Sequence, residues 1–407
     1  MLDRKIIDNL RADFPMLNDE VIYFDNAATT FKPHTVINAV MDYYTQYSYN
    51  VGRSDYLKAF SVEQQVEKVR ELVAGFINAQ PNEIIFTSGT TASLNLFAFS
   101  YGLQNLKPGD VVLTSKAEHA SSLLPWFKVC EMSGATIEYV DINMNGDLTI
   151  DSFKKAMHDK VKIVVLAAIT NVLGNILPIA EISQVVHEYD AVLMCDGAQS
   201  VPHMVTDVMA LDVDFMAFSA HKMLGPTGVG ILYGKQALLE DLNPYFQGGG
   251  SNSRYNEEQI ISYKSVPYKF ENGTLPIESI LGFGAAIEYL NEHDFKLLME
   301  YEYELNQYFI GEMLKLENVT VYNPQQESGI VAFNVKGIFS QDVATYLDSQ
   351  KIMVRSGHHC SKLLNQVISA EDTVRASVYF YNTKDEVDRF IEVLKDTTLE
   401  KCIGVFA

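Results

Sequence analysis

The chain has 407 residues, of which 47% are apolar and 20% charged, with a formal net charge of −21 at pH 7. That length forms two domains, or one large domain with a smaller lobe, and the composition is that of a globular enzyme rather than a disordered or fibrous chain. The acidic excess argues against a nucleic-acid partner, which is held by clustered Lys and Arg, and no run offers the ~20 apolar residues of a membrane span. The opening MLDRKIIDNLRADFP carries charges throughout and lacks the apolar centre of a secretion signal. Cys130, Cys195, Cys360 and Cys402 are widely spaced with no CxxC pair. Individual thiols in a reducing, cytoplasmic setting are therefore expected, not a disulfide framework.

From about residue 20 to 275, short β-branched runs alternate with helical stretches. Strands are expected at 21–24, 83–87, 111–115, 136–140, 162–170, 191–196, 214–219 and 229–234. Their near-continuous apolar character suits parallel strands buried on both faces. Between the first two, Val66, Val69, Val73, Phe76 and Ile77 recur at helical spacing. The segment GGGSNSRYNEEQ at 248–259 reads as a flexible loop. Further on, apolar runs at 329–335, 352–355 and 374–380 are strand-like. They lead into Thr383-Lys384-Asp385-Glu386, a capping box opening a helix with Val387, Phe390, Ile391 and Leu394 on one face. The pattern predicts a large α/β domain over 15–290, with a mainly parallel sheet, and a smaller α+β lobe over 291–407 joined by residues 1–14.

Ligands of open α/β sheets gather beyond the carboxyl ends of the strands. Five polar motifs fall there: Ser88-Gly89-Thr90-Thr91, Glu118-His119, Thr170-Asn171, Asp196-Gly197-Ala198-Gln199 and Ser219-Ala220-His221-Lys222. An aldehyde cofactor such as pyridoxal phosphate (PLP) needs an amine for a Schiff base, a carboxylate beside its ring nitrogen and donors for its phosphate. Lys222 can supply the first, Asp196 the second, and Ser219 with His221 part of the third, with a plain cap on the next helix the alternative for Asp196. Ser88–Thr91 precedes a helix, where backbone N–H groups meet phosphate, although a plain helix cap is the alternative. His119 is either a ring-stacking or a structural histidine. Lys222 lies between an apolar strand and Met223-Leu224-Gly225-Pro226, and an apolar setting disfavours its charged form, as Schiff-base chemistry requires. No GxGxxG follows a strand, which counts against a nicotinamide dinucleotide fold.

Arg355-Ser356-Gly357-His358-His359-Cys360 places a thiol beside glycine, two histidines and Ser361-Lys362, so exposure on a loop is expected rather than burial. An ordinary thiol is only a few per cent ionised at pH 7, and Arg355, His358 or His359 can raise that fraction. A metal site built on His-His-Cys is the competing reading; it lacks a second ligand pair, and no metal is expected. Arg355 before the thiol and Arg375 fifteen positions after it can each match a substrate carboxylate bidentately; surface salt bridges are the alternative, and they suit Arg375, within an apolar strand, less well.

The segments YFDNAATTFKP, FTSGTTASLN, EHASSLLPW, TNVLGN, CDGAQSVPH, FSAHKMLGPTGVGIL, FENGTLP, VRSGHHC and TVRASVYFYNT together resemble the SufS-type cysteine desulfurases of the class V aminotransferases, from about residue 10 to 395. The resemblance implies PLP fold type I, with a mainly parallel seven-stranded sheet, helices on both its faces and a smaller C-terminal lobe. It gives Lys222 the Schiff base, Asp196 the ring nitrogen, His119 the ring face and Gln199 the ring oxygen. Thr90, Thr91, Ser219 and His221 would bind phosphate, with Thr274 reaching across from a second subunit of a homodimer. Asn171, Arg355 and Arg375 would hold the substrate. The implied reaction converts L-cysteine to L-alanine, with Lys222 moving the Cα proton and Cys360 taking the sulfur as a persulfide. A SufE- or SufU-like acceptor would then pass it to iron–sulfur cluster assembly. The alternatives on the same scaffold are a selenocysteine lyase, which would take L-selenocysteine, an aminotransferase or an epimerase. Ala92, Gly52, Gln247 and Ser361-Lys362 depart from the family's usual residues and bear on loop shape and acceptor docking.

Overall fold

The computed structural model describes residues 4–18, 21–52 and 55–405; residues 1–3 of the segment expected beside the smaller lobe lie outside these. Seven strands form the central sheet: β1 (Ile84–Thr87), β2 (Val111–Ser115), β3 (Thr136–Val140), β4 (Val161–Ala167), β5 (Val192–Asp196), β6 (Phe215–Ser219) and β7 (Gly230–Gly234). Their order is β1-β7-β6-β5-β4-β2-β3. Only β7 runs against its neighbours, antiparallel to both β1 and β6; every other pairing is parallel.

Successive side chains of a strand leave on opposite faces, and both faces here are apolar. Met216 and Phe218 join the core beneath the Leu57–Phe76 and Ile277–Glu292 helices. Phe215 and Ala217 join a second core with the Thr90–Phe97 and Ala120–Ser133 helices. Two buried faces explain why the strand sequences run apolar without alternation. The edge strand β3 is the exception, with Thr136 and Glu138 exposed.

The smaller lobe carries β8 (Val319–Tyr322), β9 (Ile330–Val335), β10 (Arg355–Gly357) and β11 (Thr373–Ser377). They lie in the order β8-β9-β11-β10, antiparallel throughout. The predicted capping box forms: Thr383 Oγ1 accepts from Glu386 N, and the Glu386 carboxylate accepts from Thr383 N at 2.9 Å. The Arg4–Arg11 helix docks on this lobe through Arg11, paired with Glu386 at 2.9 Å and donating to the Tyr381 carbonyl at 2.5 Å.

Three segments differ from expectation. Residues 21–24 do not enter the large sheet; Ile22–Tyr23 pairs in parallel with Ile352–Met353 of the lobe, because Asn26 just after it is bonded to Ser377 and Asn382. The run at 374–380 leaves the sheet after Ser377, and Phe380, with Tyr381 just beyond the run, packs against Phe14. Within 248–259, Asn252–Tyr255 pairs antiparallel with Ile261–Tyr263. That turn is closed by the Asn256 side chain accepting from Ile260 N at 3.0 Å, with Gln259 at φ +64°. Among the described residues no helix is long and apolar enough to cross a membrane.

Candidate active site

A cavity of about 210 Å³ opens at the carboxyl ends of the central strands, beneath the lobe. Thr90, Thr91, His119, Asn171, Asp196, Gln199, Ser219, His221, Lys222, Arg355 and Arg375 line it, which is eleven of the thirteen residues expected at the site. Cys360 does not line it; the thiol is exposed, one position beyond His359, which does. Thr274 lines a separate cavity of about 330 Å³ with Gly249 and Gly250, so one chain alone does not bring it to Lys222.

At one end Gly89, at φ +147°, turns the chain from β1 into the Thr90–Phe97 helix. A Cβ on Gly230 would fall 2.5 Å from Gly89 Cα, so this turn rests directly on β7. Ser219 Oγ accepts from Thr90 N and bonds Thr90 Oγ1, both at 2.7 Å. Hydroxyls and N–H groups thus converge at a helix N-terminus, where an anion is favoured. Burial, reinforced by Lys222 and Lys32, pushes His221 down to about 4, so it is neutral near pH 7.

Deeper in, Asp196 accepts from Ser122 Oγ at 2.5 Å and from Ala198 N at 2.9 Å. Behind it Glu118 accepts from Ser115 Oγ at 2.8 Å and Ala167 N at 2.9 Å. Burial pushes Glu118 up to about 8, so it holds a proton at neutrality. His119 caps the Ala120–Ser133 helix, its Nδ1 accepting from Ser121 N at 3.1 Å, which leaves the ring proton on Nε2. Burial lowers its pKa against the pull of Asp196, and Lys222 and both arginines lower it further. Gln199 Nε2 donates to the Ala27 carbonyl at 2.7 Å, while its Oε1 is buried without a partner. Lys222 is surrounded by protein and open only toward the cavity; desolvation outweighs the attraction of Asp196, and the two arginines add to it, bringing the amine down to about 8.

The lobe supplies the opposite wall. Arg355 and Arg375 are register partners on β10 and β11, and both line the cavity. Like charges directly opposite on adjacent strands are destabilising, and an anion bound between them relieves that repulsion. Arg375 is fully buried, donating to the Asn171 carbonyl at 2.8 Å and to Asp25 Oδ1 at 3.1 Å, with Nε unpartnered. His359 corrects one expectation: burial pushes it down to about 3 and its Nε2 is bonded to Thr373. It is neutral near pH 7 and lends the thiol no positive charge. Among the described residues no group of three His, Cys, Asp or Glu is placed to hold a metal.

Sequence reasoning gave Asp25 and Ser122 no place in the site, put Glu118 at the ligand edge of the sheet without a role, and named Ser361 only as a departure from the family's usual residues. Ser122 follows His119 by one helical turn, a spacing that carried a usable signal. Asp25 lies 350 positions from Arg375 and carried none.

The arrangement fits PLP. An amine of lowered pKa, a carboxylate bonded by Ser122, a fixed imidazole and a cluster of hydroxyl and N–H donors share one cavity. The aminotransferase class-V family model matches residues 22–390. A probable cysteine desulfurase of Halalkalibacterium halodurans is 42% identical over 390 residues, covering 94% of this chain and 96% of that one. This chain belongs to the class-V aminotransferases, among the cysteine desulfurases. A probable cysteine desulfurase of Synechocystis is 38% identical over 398 residues, covering 95% of this chain and 94% of that one. In solved structures, the desulfurase of Thermococcus onnurineus superposes with a TM-score of 0.92 at 35% identity, covering 96% and 97% of the two chains. The cysteine desulfurase CsdA of Escherichia coli, in an S-sulfonic acid form, superposes at 0.90 with 32% identity and 98% coverage of both. Both superpositions extend over the central sheet and the smaller lobe, since they cover 96% and 98% of this chain.

Proposed function

We propose that this desulfurase takes L-cysteine, releases L-alanine and loads the sulfur onto Cys360 as a persulfide for iron–sulfur cluster assembly or other sulfur trafficking. The observation that carries the reading is the opposed pair Arg355 and Arg375, facing the Lys222 cavity with an exposed thiol one residue beyond its wall. PLP, when bound, acts as an electron sink that acidifies the Cα–H of an amino acid attached to it.

This chain's residues do the rest. Asp196 keeps the ring nitrogen protonated, His119 holds the ring face, Gln199 meets the ring oxygen, and Thr90, Thr91, Ser219 and His221 hold the phosphate. Arg375, with Arg355 and Asn171 beside it, orients the substrate carboxylate. Lys222, of lowered pKa, is neutral in a useful fraction near pH 8 and moves the proton at Cα. Cys360 Sγ then forms an S–S bond as the substrate's Cβ–S bond breaks. The carbon keeps the bonding electrons and takes a proton to become the methyl of alanine, so carbon is reduced as sulfur is oxidised. Thr274, on its separate cavity, is assigned to the partner's phosphate site in a homodimer, and a SufE- or SufU-like protein to removal of the persulfide. Residues 15–290 form the cofactor domain in this reading, and 291–407 with 1–14 the thiol-bearing lobe.

The test is incubation with L-cysteine, following alanine and mapping persulfide by mass. Cys360→Ala is expected to abolish the persulfide and slow alanine release by about 100-fold or more. Alanine formed without a persulfide on Cys360 in the unaltered protein defeats the mechanism.

A further inference from the structure

Ser361 follows the exposed thiol and stands at the N-cap of the Lys362–Ile368 helix. A serine there ordinarily accepts from an N–H of its own first turn. No such bond forms; the hydroxyl instead donates to Asn171 Oδ1 at 2.9 Å. The same Asn171 side chain donates through Nδ2 to the His359 carbonyl at 2.8 Å. One amide therefore grips the residue before Cys360 and the residue after it. Asn171, His359 and Ser361 are all buried, whereas Cys360 between them is exposed.

His359 and Cys360 lie at φ +48° and +63°, a backbone that non-glycine residues keep only where their surroundings enforce it. A third tie comes from Ala120 N, beside His119, which donates to the Cys360 carbonyl at 2.8 Å. The Asn171 carbonyl accepts from Arg375 at 2.8 Å. The guanidinium that faces the substrate cavity and the loop that carries the thiol thus hang on one residue.

We propose that Ser361, acting through Asn171, is a positioning residue for sulfur transfer. The hydroxyl–amide clamp holds Cys360 at the mouth of the substrate cavity, and the Ser361 hydroxyl itself takes no part in the chemistry at Cα. The inference rests on the desulfurase reading. Placement matters most in the one step where the Cβ–S bond breaks and the S–S bond to Cys360 forms, and small displacements there are costly.

The test compares wild-type, Ser361→Ala and Ser361→Thr holoenzymes. In Ser361→Ala, single-turnover persulfide formation on Cys360 is expected to fall about 10- to 100-fold, with KM for L-cysteine within about twofold. Exchange of the L-alanine Cα–H into D2O, which needs the cofactor, Lys222 and Arg375 but not the thiol, should stay within about twofold. Ser361→Thr keeps the hydroxyl and should recover most of the lost rate. The clamp is overturned if persulfide formation in Ser361→Ala matches wild type, if exchange falls in parallel with it, or if Ser361→Thr is as slow as Ser361→Ala. Wild-type enzyme that makes no alanine from L-cysteine defeats the desulfurase reading and the clamp with it, whereas a fully active Ser361→Ala defeats the clamp alone.

Discussion

A single buried carboxyl shows how the site sets its charges. Glu118 is pushed up to about 8 from an ordinary 4.5 because burial disfavours its ionised form. Between those values the folded chain holds a proton that the unfolded chain has released. The stability due to this group is therefore fully present below about 4.5 and is lost as pH rises toward about 8. Glu118→Gln is neutral at every pH and keeps the shape, with the Ser115 hydroxyl able to turn round and accept. Relative to wild type it is expected to gain stability as pH rises from 5.5 to 7.5, by up to about 1.4 kcal/mol per pH unit. Urea unfolding of the cofactor-free proteins at three pH values in that range measures this, and a pH-independent difference rejects it. Lys222 runs the other way: lowered to about 8, it gives a contribution that rises with pH from about 8 toward its ordinary value.

The placement of individual motifs around one cavity was legible at their own positions. Lys222, Asp196 and the Ser88–Thr91 turn announced themselves because a charge or a hydroxyl run at an apolar strand's end has few structural uses. Ser361 was opaque for a physical reason. An N-cap serine looks the same in sequence whether it bonds its own helix or an amide 190 positions away.

At the scale of elements, the end of the cavity proposed to hold phosphate is built by close packing of backbone on backbone. Gly230 of β7 leaves no room for a side chain: a Cβ would meet Gly89 Cα at 2.5 Å and the Phe218 carbonyl at 2.7 Å. Gly230→Ala must push β7 away from the Gly89 turn, at a cost of roughly 1–3 kcal/mol. The displaced Thr90 and Ser219 should hold phosphate less well. Equilibrium dialysis is expected to show PLP bound at least about tenfold more weakly; unchanged retention would mean the turn moves freely. The helix capping box was readable because its partners are three residues apart. The antiparallel course of β7 was not, since an apolar strand buried on both faces has the same composition in either direction. The hairpin within 248–263 was likewise hidden, because its turn depends on the Asn256 side chain and a left-handed Gln259.

Across the whole molecule, the lobe is fastened to the large domain around residues 23–31. Tyr381 donates its hydroxyl to Asn26 Oδ1 and accepts from Phe31 N at 3.0 Å. Asn26 also donates to the Ser377 carbonyl at 2.7 Å. Tyr381→Phe leaves the buried Phe31 N–H and the Asn26 oxygen each short of a partner, and is expected to cost about 2 kcal/mol. Urea unfolding reads this; a loss below about 0.5 kcal/mol would mean the two groups find other partners. The same seam holds Asp25 against Arg375, so loosening it should also blunt the hold proposed for Arg375 on the substrate carboxylate.

The sequence by itself determined the wrapped sheet, the cofactor and the residues at each strand's end, because those follow from periodicity and from which side chains can do the chemistry. Only the tertiary structure decided how the pieces meet: that Arg355 faces Arg375 across two strands, that His359 is buried and neutral, and that Asn171 grips both sides of Cys360. These depend on contacts between residues far apart in the chain, where burial and hydrogen bonding set charge and conformation, and no local pattern encodes them.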